Sequence, residues 1–305
     1  MNAAEWLASA TPAPADLAVL GAPLGRASIS PSRAWTTPAA LRTALSRFST
    51  WDGDHGIDLE GLRVHDLGDI EGDEHDPDCL AAHERLRLAA ASARTTARCV
   101  AVIGGDNSTT LAAMRGISED RLDDGWGLLT LDAHHDVRPR GADRLPRNGT
   151  PVRDLVELGL PGTRVAQLGL HGFANAREHA EWAASQRIHT RRATAMRSLG
   201  ITETIDSALG SLRKAGARRL WVDIDLDVLD RAFAPACPAS MPGGLTPAEL
   251  QAAAFLLGRS PAVAGIDLTE VDAAADDPAG TTVRAVASVL LAFCSGLAQR
   301  LATTR

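Results

Sequence analysis

Acidic residues and one histidine cluster in two short segments of the chain, each preceded by an apolar run. Asp132, His134 and Asp136 follow one run, and Asp225 and Asp227 follow another. Such runs are typical of buried strands, and alternate residues of an extended chain point the same way, so the side chains within each segment can converge. Gathered carboxylates repel one another unless divalent cations lie between them. Because four negative charges balance two such ions, the pattern predicts a two-metal hydrolytic centre.

The alternative interpretation is that these aspartates only cap turns at strand ends, and neither segment alone excludes it. The presence of both segments in one chain favours the metal site. A site made of four carboxylates and a single imidazole is hard in character, so it suits Mn²⁺ better than Zn²⁺ or Cu²⁺.

Short apolar runs alternate with helix-like stretches along the chain. Strands are predicted at residues 17–20, 63–67, 99–103, 127–131, 165–168, 219–222 and 263–268. Helices are predicted at 79–98, 108–116, 154–158, 176–185, 202–215, 247–257 and 282–301. This alternation predicts an α/β fold whose parallel sheet is covered on both faces. Ligands of such sheets bind beyond the carboxyl ends of the strands, where both acidic segments lie.

Composition limits the class of protein further. The 305 residues, 45% of them hydrophobic, can fill one core, and no linker-like segment divides them, so we expect a single domain over 1–305. A net charge of −7 argues against a nucleic-acid partner. Cys79, Cys99, Cys237 and Cys294 form no Cys-x-x-Cys pair and no disulfide spacing, which fits a reducing compartment.

Targeting segments are not expected either. Residues 1–16 lack both the basic start and the apolar centre of a signal peptide. No apolar run is expected to be long enough to span a bilayer. The sequence therefore predicts a cytoplasmic protein without a membrane partner.

Several motifs in the same order resemble those of the ureohydrolases, the family of arginase, agmatinase and formiminoglutamase. Residues 104–108 (Gly-Gly-Asp-Asn-Ser) resemble the family's Gly-Gly-Asp-His-Ser, residues 132–136 its Asp-Ala-His-x-Asp, and residues 225–230 its Asp-x-Asp-x-x-Asp. The resemblance continues through Pro-Gly-Gly-Leu at 242–245 to Glu270. It implies a three-layer α/β/α, arginase-like fold with a mainly parallel sheet. It also implies an amidinohydrolase that uses two Mn²⁺ per chain to cleave a guanidino-type C–N bond.

The resemblance assigns roles to individual residues. Asp132 and Asp225 would bridge the two ions. The remaining metal ligands would be Asp136 and Asn107 for one ion, and His134 and Asp227 for the other.

Two residues are assigned to the reaction itself. Glu270 matches the family's guanidinium-binding glutamate, and one carboxylate pairs well with a planar bidentate donor. Asp136 would carry the proton of the attacking water to the leaving nitrogen. The alternative for Glu270 is an ordinary strand-end glutamate that faces solvent.

Two asparagines depart from the family pattern. Asn107 replaces a histidine ligand, and its carbonyl oxygen is a competent neutral ligand for a hard metal that leaves the charge balance unchanged. Asn148 is assigned to substrate binding, and it replaces a histidine that the family links to proton shuttling and substrate contact. His135 and His171 are then candidates for the proton donor. The opposing interpretation of Asn107 is a degraded site in a non-catalytic relative.

The substrate is predicted from a basic loop and from Asn107. Arg138, Arg140, Arg144 and Arg147 lie between the metal motif and Asn148, and any of them that faces the pocket would suit a substrate carboxylate. The Asn-for-His change also resembles the Nω-hydroxy-L-arginine amidinohydrolase of D-cycloserine biosynthesis. We therefore expect a small guanidino substrate, Nω-hydroxy-L-arginine, which would be cleaved to hydroxyurea and L-ornithine.

Other functions stay open at this point. One is an agmatinase-, arginase- or formiminoglutamase-type reaction on another guanidino or formimino amino acid, and another is a metal-binding relative without activity. A zinc deacylase would carry one metal and a catalytic histidine pair, which the single histidine of the metal motif speaks against. Assembly into a homo-oligomer is also left open.

Overall fold

The computed structural model describes residues 1–9 and 13–303. Its strands are β1 (Ala15–Gly21), β2 (Trp51–Asp52), β3 (Ile57–Asp58), β4 (Val64–Asp69), β5 (Ala97–Ile103), β6 (Trp126–Leu131), β7 (Val165–Leu170), β8 (His189–Arg192), β9 (Arg219–Asp225) and β10 (Val263–Thr269). Its α-helices are α1 (Ala3–Ala8), α2 (Thr37–Ala44), α3 (Leu80–Thr96), α4 (Thr109–Ser118), α5 (Pro151–Glu157), α6 (Arg177–Ser185), α7 (Ala193–Leu199), α8 (Ile201–Lys214), α9 (Pro247–Arg259) and α10 (Thr281–Ala302).

Eight of the strands within the described residues form one sheet of order β4-β1-β5-β10-β9-β6-β7-β8. All neighbouring pairs in this sheet are parallel, which confirms the predicted parallel sheet. Each apolar run predicted to be a strand lies in one of its strands. Edge strand β8 was missed because its residues, His-Thr-Arg-Arg, are polar and only partly buried, so no apolar run marks it.

Helices cover both faces of the sheet. Along β1, Leu17 and Val19 belong to one hydrophobic cluster, whereas Ala18 and Leu20 belong to another. The first cluster includes residues from α1, α2, α7, α8, α9 and α10, and the second includes residues from α3, α4, α5 and α6. Because successive strand residues point to opposite faces, the two clusters lie on opposite sides of the sheet. The result is the predicted three-layer α/β/α arrangement.

Helix α10 corrects the expectation that no apolar stretch could span a bilayer. By length and composition α10 is long and apolar enough to cross a membrane, but 67% of its most apolar window is buried inside the protein. It packs closely on α9: a Cβ atom added to Gly296 would lie 2.0 Å from the backbone oxygen of Phe255. The core helix of a globular fold passes the same length test.

The four cysteines are buried and form no disulfide, as their spacing predicts. Burial raises the pKa of Cys79 to about 12 and that of Cys99 to about 11. These thiols are therefore protonated at neutral pH.

The centre of the sheet determines where the acidic segments meet. Strands β5, β10, β9 and β6 are consecutive neighbours. Leu131 of β6 pairs with Ile224 of β9, and Thr269 of β10 pairs with Asp225. The residues that follow these strands therefore lie side by side at the carboxyl edge of the sheet, which is the ligand-binding edge of parallel α/β sheets.

Candidate metal centre

The strand ends bring the predicted metal ligands into two overlapping groups. Among the described residues, Asp132, His134 and Asp227 form one group, and Asp132, Asp136 and Asp225 form the other. The ligand atoms of each group lie within 4.8 Å of one another. Asp132 belongs to both groups, so two ions held there would share its carboxylate.

The acidic residues of the centre lie close to one another; Asp132, Asp225 and Asp227 are buried, and Asp136 is partly buried. Burial, together with the carboxylates of Asp136 and Asp227, raises the pKa of Asp132 well above its usual value. Burial and the neighbouring Asp227 and Asp132 do the same for Asp225, and burial raises the pKa of Asp136 to about 7. Each shift opposes ionisation in the protein alone, and a bound cation would reverse it.

His134 faces two of these carboxylates. Its Nδ1 lies 2.8 Å from Oδ2 of Asp227 and 3.6 Å from Oδ1 of Asp132. Burial opposes protonation of the imidazole, but the nearby Asp227 and Asp132 outweigh it and raise the pKa of His134 to about 12. The same Nδ1 atom is the one placed to donate its lone pair to a metal when deprotonated.

The hydrogen bonding of the Asp132 carboxylate shows whether a cation fits this site. Oδ1 of Asp132 accepts a hydrogen bond from the His134 amide at 2.5 Å, but Oδ2 is buried and has no hydrogen-bond partner among the described residues. A buried polar atom without a partner is costly, and a divalent cation would satisfy it. The donor set, four carboxylates and one imidazole, fits a hard divalent ion such as Mn²⁺.

Asn107 follows β5, and its amide orientation differs from the expectation. Its Nδ2 donates to Oδ2 of Asp136 at 2.7 Å, whereas its Oδ1 accepts from the hydroxyls of Thr110 and Thr269 at 3.0 and 2.9 Å. The amide nitrogen, rather than the expected oxygen, therefore faces the cluster. A half-turn of the amide exchanges the two atoms, and both threonine hydroxyls can accept as well as donate. The surroundings thus admit the oxygen as a ligand when a cation lies beside Asp136.

Glu270 follows β10 on the same side of the sheet. It adopts a left-handed backbone conformation (φ 64°), and so does Asp136 (φ 50°), a strain that is common at functional sites. Oε1 of Glu270 accepts from the backbone N–H of Asn107 at 2.7 Å and from Nδ2 of Asn148 at 3.0 Å. Oε2 accepts no hydrogen bond from the described residues. Burial, together with Asp106, raises the pKa of Glu270 to about 8.

Asn148 connects Glu270 to a neighbouring loop. Its Nδ2 donates to Glu270, and its Oδ1 accepts from the Ile29 amide at 3.0 Å. Both ends of the amide are therefore occupied, and Asn148 orients the glutamate. An asparagine cannot titrate, so this residue does not carry a proton.

Most of these residues, but not Asp132 or Asn107, line a cavity of about 100 Å³. The lining consists of Ile29, Ser30, His134, Asp136, Arg138, Asn148, Gly149, Asp225, Asp227, Ala239 and Glu270. A larger cavity of about 860 Å³ lies between the β2–β3 hairpin and helices α9 and α10, but it contains none of the metal-centre residues. The cluster of candidate metal ligands therefore adjoins the smaller cavity rather than the larger one.

Some sequence-predicted residues lie elsewhere. Nδ1 of His135 is bonded to Oε1 of Gln167 at 2.7 Å, and Nε2 of His171 is bonded to the Pro242 carbonyl at 3.0 Å. Neither histidine is among the described residues that line the cavity, so neither is placed to donate a proton there.

Sequence reasoning missed two residues that line the cavity. Ile29 and Ser30 come from a loop that carries no chemical motif. Thr110 and Thr269 hold the Asn107 amide, but hydroxyl residues near strand ends are too common to indicate this role.

Comparisons with known proteins agree with this geometry. The sequence model of the Arginase family matches residues 15–295. A formimidoylglutamase from Halalkalibacterium halodurans is 33% identical over 281 residues, which cover 91% of this chain and 86% of that protein. The chain therefore belongs to the arginase family, whose members hydrolyse guanidino or amidine C–N bonds, and it is such a hydrolase.

Solved structures show the same fold. The crystal structure of formimidoylglutamase from Bacillus subtilis matches with a TM-score of 0.86 and 31% identity, over 93% of this chain and 87% of that one. Formiminoglutamase from Trypanosoma cruzi, solved with Mn²⁺, matches with a TM-score of 0.87 and 24% identity, over 98% and 99% of the two chains. Mn²⁺ is thus present in a protein of the same fold.

Proposed function

We propose that this protein is a dimanganese hydrolase that cleaves N-formimidoyl-L-glutamate to L-glutamate and formamide. The observation that carries the proposal is the pair of ligand groups sharing Asp132, with the free oxygen of Glu270 on the same cavity. The relatives described above are formimidoylglutamases, so this substrate replaces Nω-hydroxy-L-arginine as the first candidate. Hydroxyarginine keeps one supporting feature, the neutral Asn107 in place of a histidine.

The proposed metal ligands are the residues predicted from the motifs. Asp132 and Asp225 would contribute to the binding of both ions, Asp136 and Asn107 would hold one ion, and His134 and Asp227 would hold the other. When bound, the ions supply a strong nucleophile by lowering the pKa of water to near neutrality.

The residues of the chain orient the substrate for this attack. Glu270 accepts the N–H groups of the planar amidinium through its free Oε2, a charge-assisted hydrogen bond that fixes the plane of the reacting carbon. The backbone N–H of Asn107 and the side chain of Asn148 hold Oε1 and so keep the carboxylate in this orientation. Catalysis requires this placement because the reacting carbon must face the nucleophile.

Asp136 is the proposed proton carrier. The oxygen of water adds to the amidinium carbon, the bond to the glutamate nitrogen breaks, and both protons of the water end on that nitrogen, so the products are formamide and the ammonium form of L-glutamate. Asp136 lines the cavity, whereas Asn148 cannot titrate and His135 and His171 are bonded elsewhere. Its carboxylate can therefore accept the proton from water and deliver it to the leaving amine.

A substrate comparison tests the proposal. The Mn²⁺-loaded protein is assayed for kcat/KM with N-formimidoyl-L-glutamate, Nω-hydroxy-L-arginine, L-arginine and agmatine, and a chelated sample is the control. We expect the highest value for formimidoylglutamate and no turnover after chelation. A preference for hydroxyarginine would restore that substrate, and a protein that holds Mn²⁺ but hydrolyses none of the four would be the non-catalytic relative.

The remaining features of the proposal concern the whole chain. We propose that residues 1–305 act as a single domain in the cytoplasm, without a nucleic-acid or membrane partner. Homo-oligomer formation stays a prediction.

A further inference from the structure

Arg138 is an exposed arginine that lines the metal-centre cavity. It lines the cavity beside Asp136 and Asn148, and its side chain makes no hydrogen bond or ion pair with the residues that the structure describes. Two other arginines of the same loop are paired, and Arg144 does not line the cavity. Arg140 is bonded to Asp154 at 2.8 Å, and Arg147 is bonded to Asp143 at 2.5 Å.

A backbone hydrogen bond and the space beside Gly149 position Arg138 in its loop. The Arg138 amide donates to the Gly149 carbonyl at 2.9 Å, which pairs the two segments that flank the loop. A Cβ atom at position 149 would lie 2.9 Å from Cδ and 3.3 Å from Nε of Arg138. The glycine therefore leaves room for the arginine stem to lie across the neighbouring segment at the cavity.

Arg138 carries a positive charge, whereas four other residues that line the cavity are acidic. Asp136, Asp225 and Asp227 belong to the metal groups, and Glu270 faces the amidinium of the proposed substrate. Arg138 is the one arginine or lysine among the described lining residues, and its guanidinium is always charged. A planar guanidinium without a partner is a bidentate site for a carboxylate.

We propose that Arg138 is the specificity-determining residue that binds a carboxylate of the substrate while Glu270 holds the amidine at the other end. This inference rests on the proposed function, and it defines the substrate class as N-formimidoyl amino acids with an anionic tail. A decarboxylated substrate such as agmatine lacks this carboxylate and gains nothing from the arginine, and any cationic group near Arg138 would be repelled.

Binding of the product L-glutamate tests this inference without relying on turnover. The variant Arg138→Met removes the charge but keeps a long stem. The matched control, Arg144→Asn, removes a charge from an exposed position of the same loop outside the cavity lining, where the left-handed backbone (φ 61°) tolerates asparagine. Calorimetry on the Mn²⁺-loaded proteins should show that Arg138→Met binds L-glutamate roughly tenfold to hundredfold more weakly than the wild type, as expected for a lost charge-assisted pair. Arg144→Asn should bind like the wild type.

Kinetics provide a second measurement. Arg138→Met should raise KM for N-formimidoyl-L-glutamate more than it lowers kcat, and it should leave hydrolysis of N-propylformamidine, which has no carboxylate, unchanged. Arg138→Lys keeps the charge but not the planar fork, so it should restore part of the lost affinity.

The outcomes separate the two proposals. Equal L-glutamate binding by the wild type and Arg138→Met, an equal loss in Arg144→Asn, or no binding by the wild type would overturn the role of Arg138. If the wild type binds L-glutamate through Arg138 but does not hydrolyse formimidoylglutamate, the carboxylate site is supported and the proposed reaction is wrong.

Discussion

The Glu270→Gln substitution separates substrate orientation from metal binding. Oε1 of Glu270 accepts two hydrogen bonds, from the backbone N–H of Asn107 at 2.7 Å and from Nδ2 of Asn148 at 3.0 Å. The carbonyl oxygen of a glutamine can accept both, so the wall of the cavity is preserved. The glutamine NH₂ then replaces Oε2, and a donor faces the amidinium donors of the substrate.

The size of the effect follows from this replacement. A hydrogen bond to a charged group contributes about 1.5–3 kcal/mol, which corresponds to a roughly tenfold to 150-fold loss of kcat/KM. Because two donors now face each other, the loss should be at the upper end of this range. Metal content should not change, since Glu270 belongs to neither ligand group.

The assay measures kcat/KM, Mn²⁺ per chain and the thermal midpoint for the wild type, Glu270→Gln and Glu181→Gln. The last variant makes the same chemical change on an exposed position of helix α6, and it should behave like the wild type in all three measurements. If Glu270→Gln loses Mn²⁺ in proportion to its activity, Glu270 is a metal-centre residue and the reasoning above is refuted. Unchanged activity would refute it equally.

Three further predictions concern the metal centre. Asp132→Asn should lose most of both ions, because Asp132 belongs to both ligand groups, whereas Asp227→Asn should retain about one ion per chain. Elemental analysis measures the Mn²⁺ content of both variants. Equal retention by the two variants would contradict a shared carboxylate. Asn107→His should tighten Mn²⁺ binding, measured by competition with a chelator, because imidazole is the stronger donor for this ion; weaker binding would show that no ligand atom comes from this position. The chelated protein should become less stable as the pH rises from 5 to 8, because burial raises the pKa of Asp136 to about 7. The neutral carboxyl stabilises the folded state fully below the unfolded pKa of about 3.9, and this stabilisation is lost as the pH rises through 7. Thermal midpoints that increase over this range without metal would contradict the assignment. Added Mn²⁺ should raise the midpoint more at pH 8 than at pH 5.

The strands and the acidic centre could be predicted because their signals are local. Each apolar run that precedes Asp132 or Asp225 indicates a buried strand, and the aspartate that follows it indicates where the chain leaves the sheet. Since parallel strands end at a common edge, the position of the carboxylates follows from the chain order alone. The spacing of the carboxylates within each segment then predicts that they converge.

Strand β8 and helix α10 show the limits of composition. Strand β8 (His189–Arg192) is a strand because its backbone pairs with β7, although its polar residues carry no apolar pattern. Helix α10 has the length and composition of a membrane-spanning helix, but its packing against α9 buries it in the core. In both elements the neighbour, rather than the local sequence, determines the environment.

The sequence by itself determined the residue types of the candidate metal centre, their strand-end positions and the arginase-family class, because each depends on residues that are close together in the chain. Only the tertiary structure decided how the cavity uses its other side chains. It selected Arg138 from four arginines of one loop, turned the nitrogen of Asn107 towards Asp136, and placed Asn148 against Glu270. These choices depend on hydrogen bonds between residues far apart in sequence, such as the 122 positions that separate Asn148 from Glu270. A local pattern cannot encode such contacts, because they form only when the loops pack against one another at the edge of the sheet.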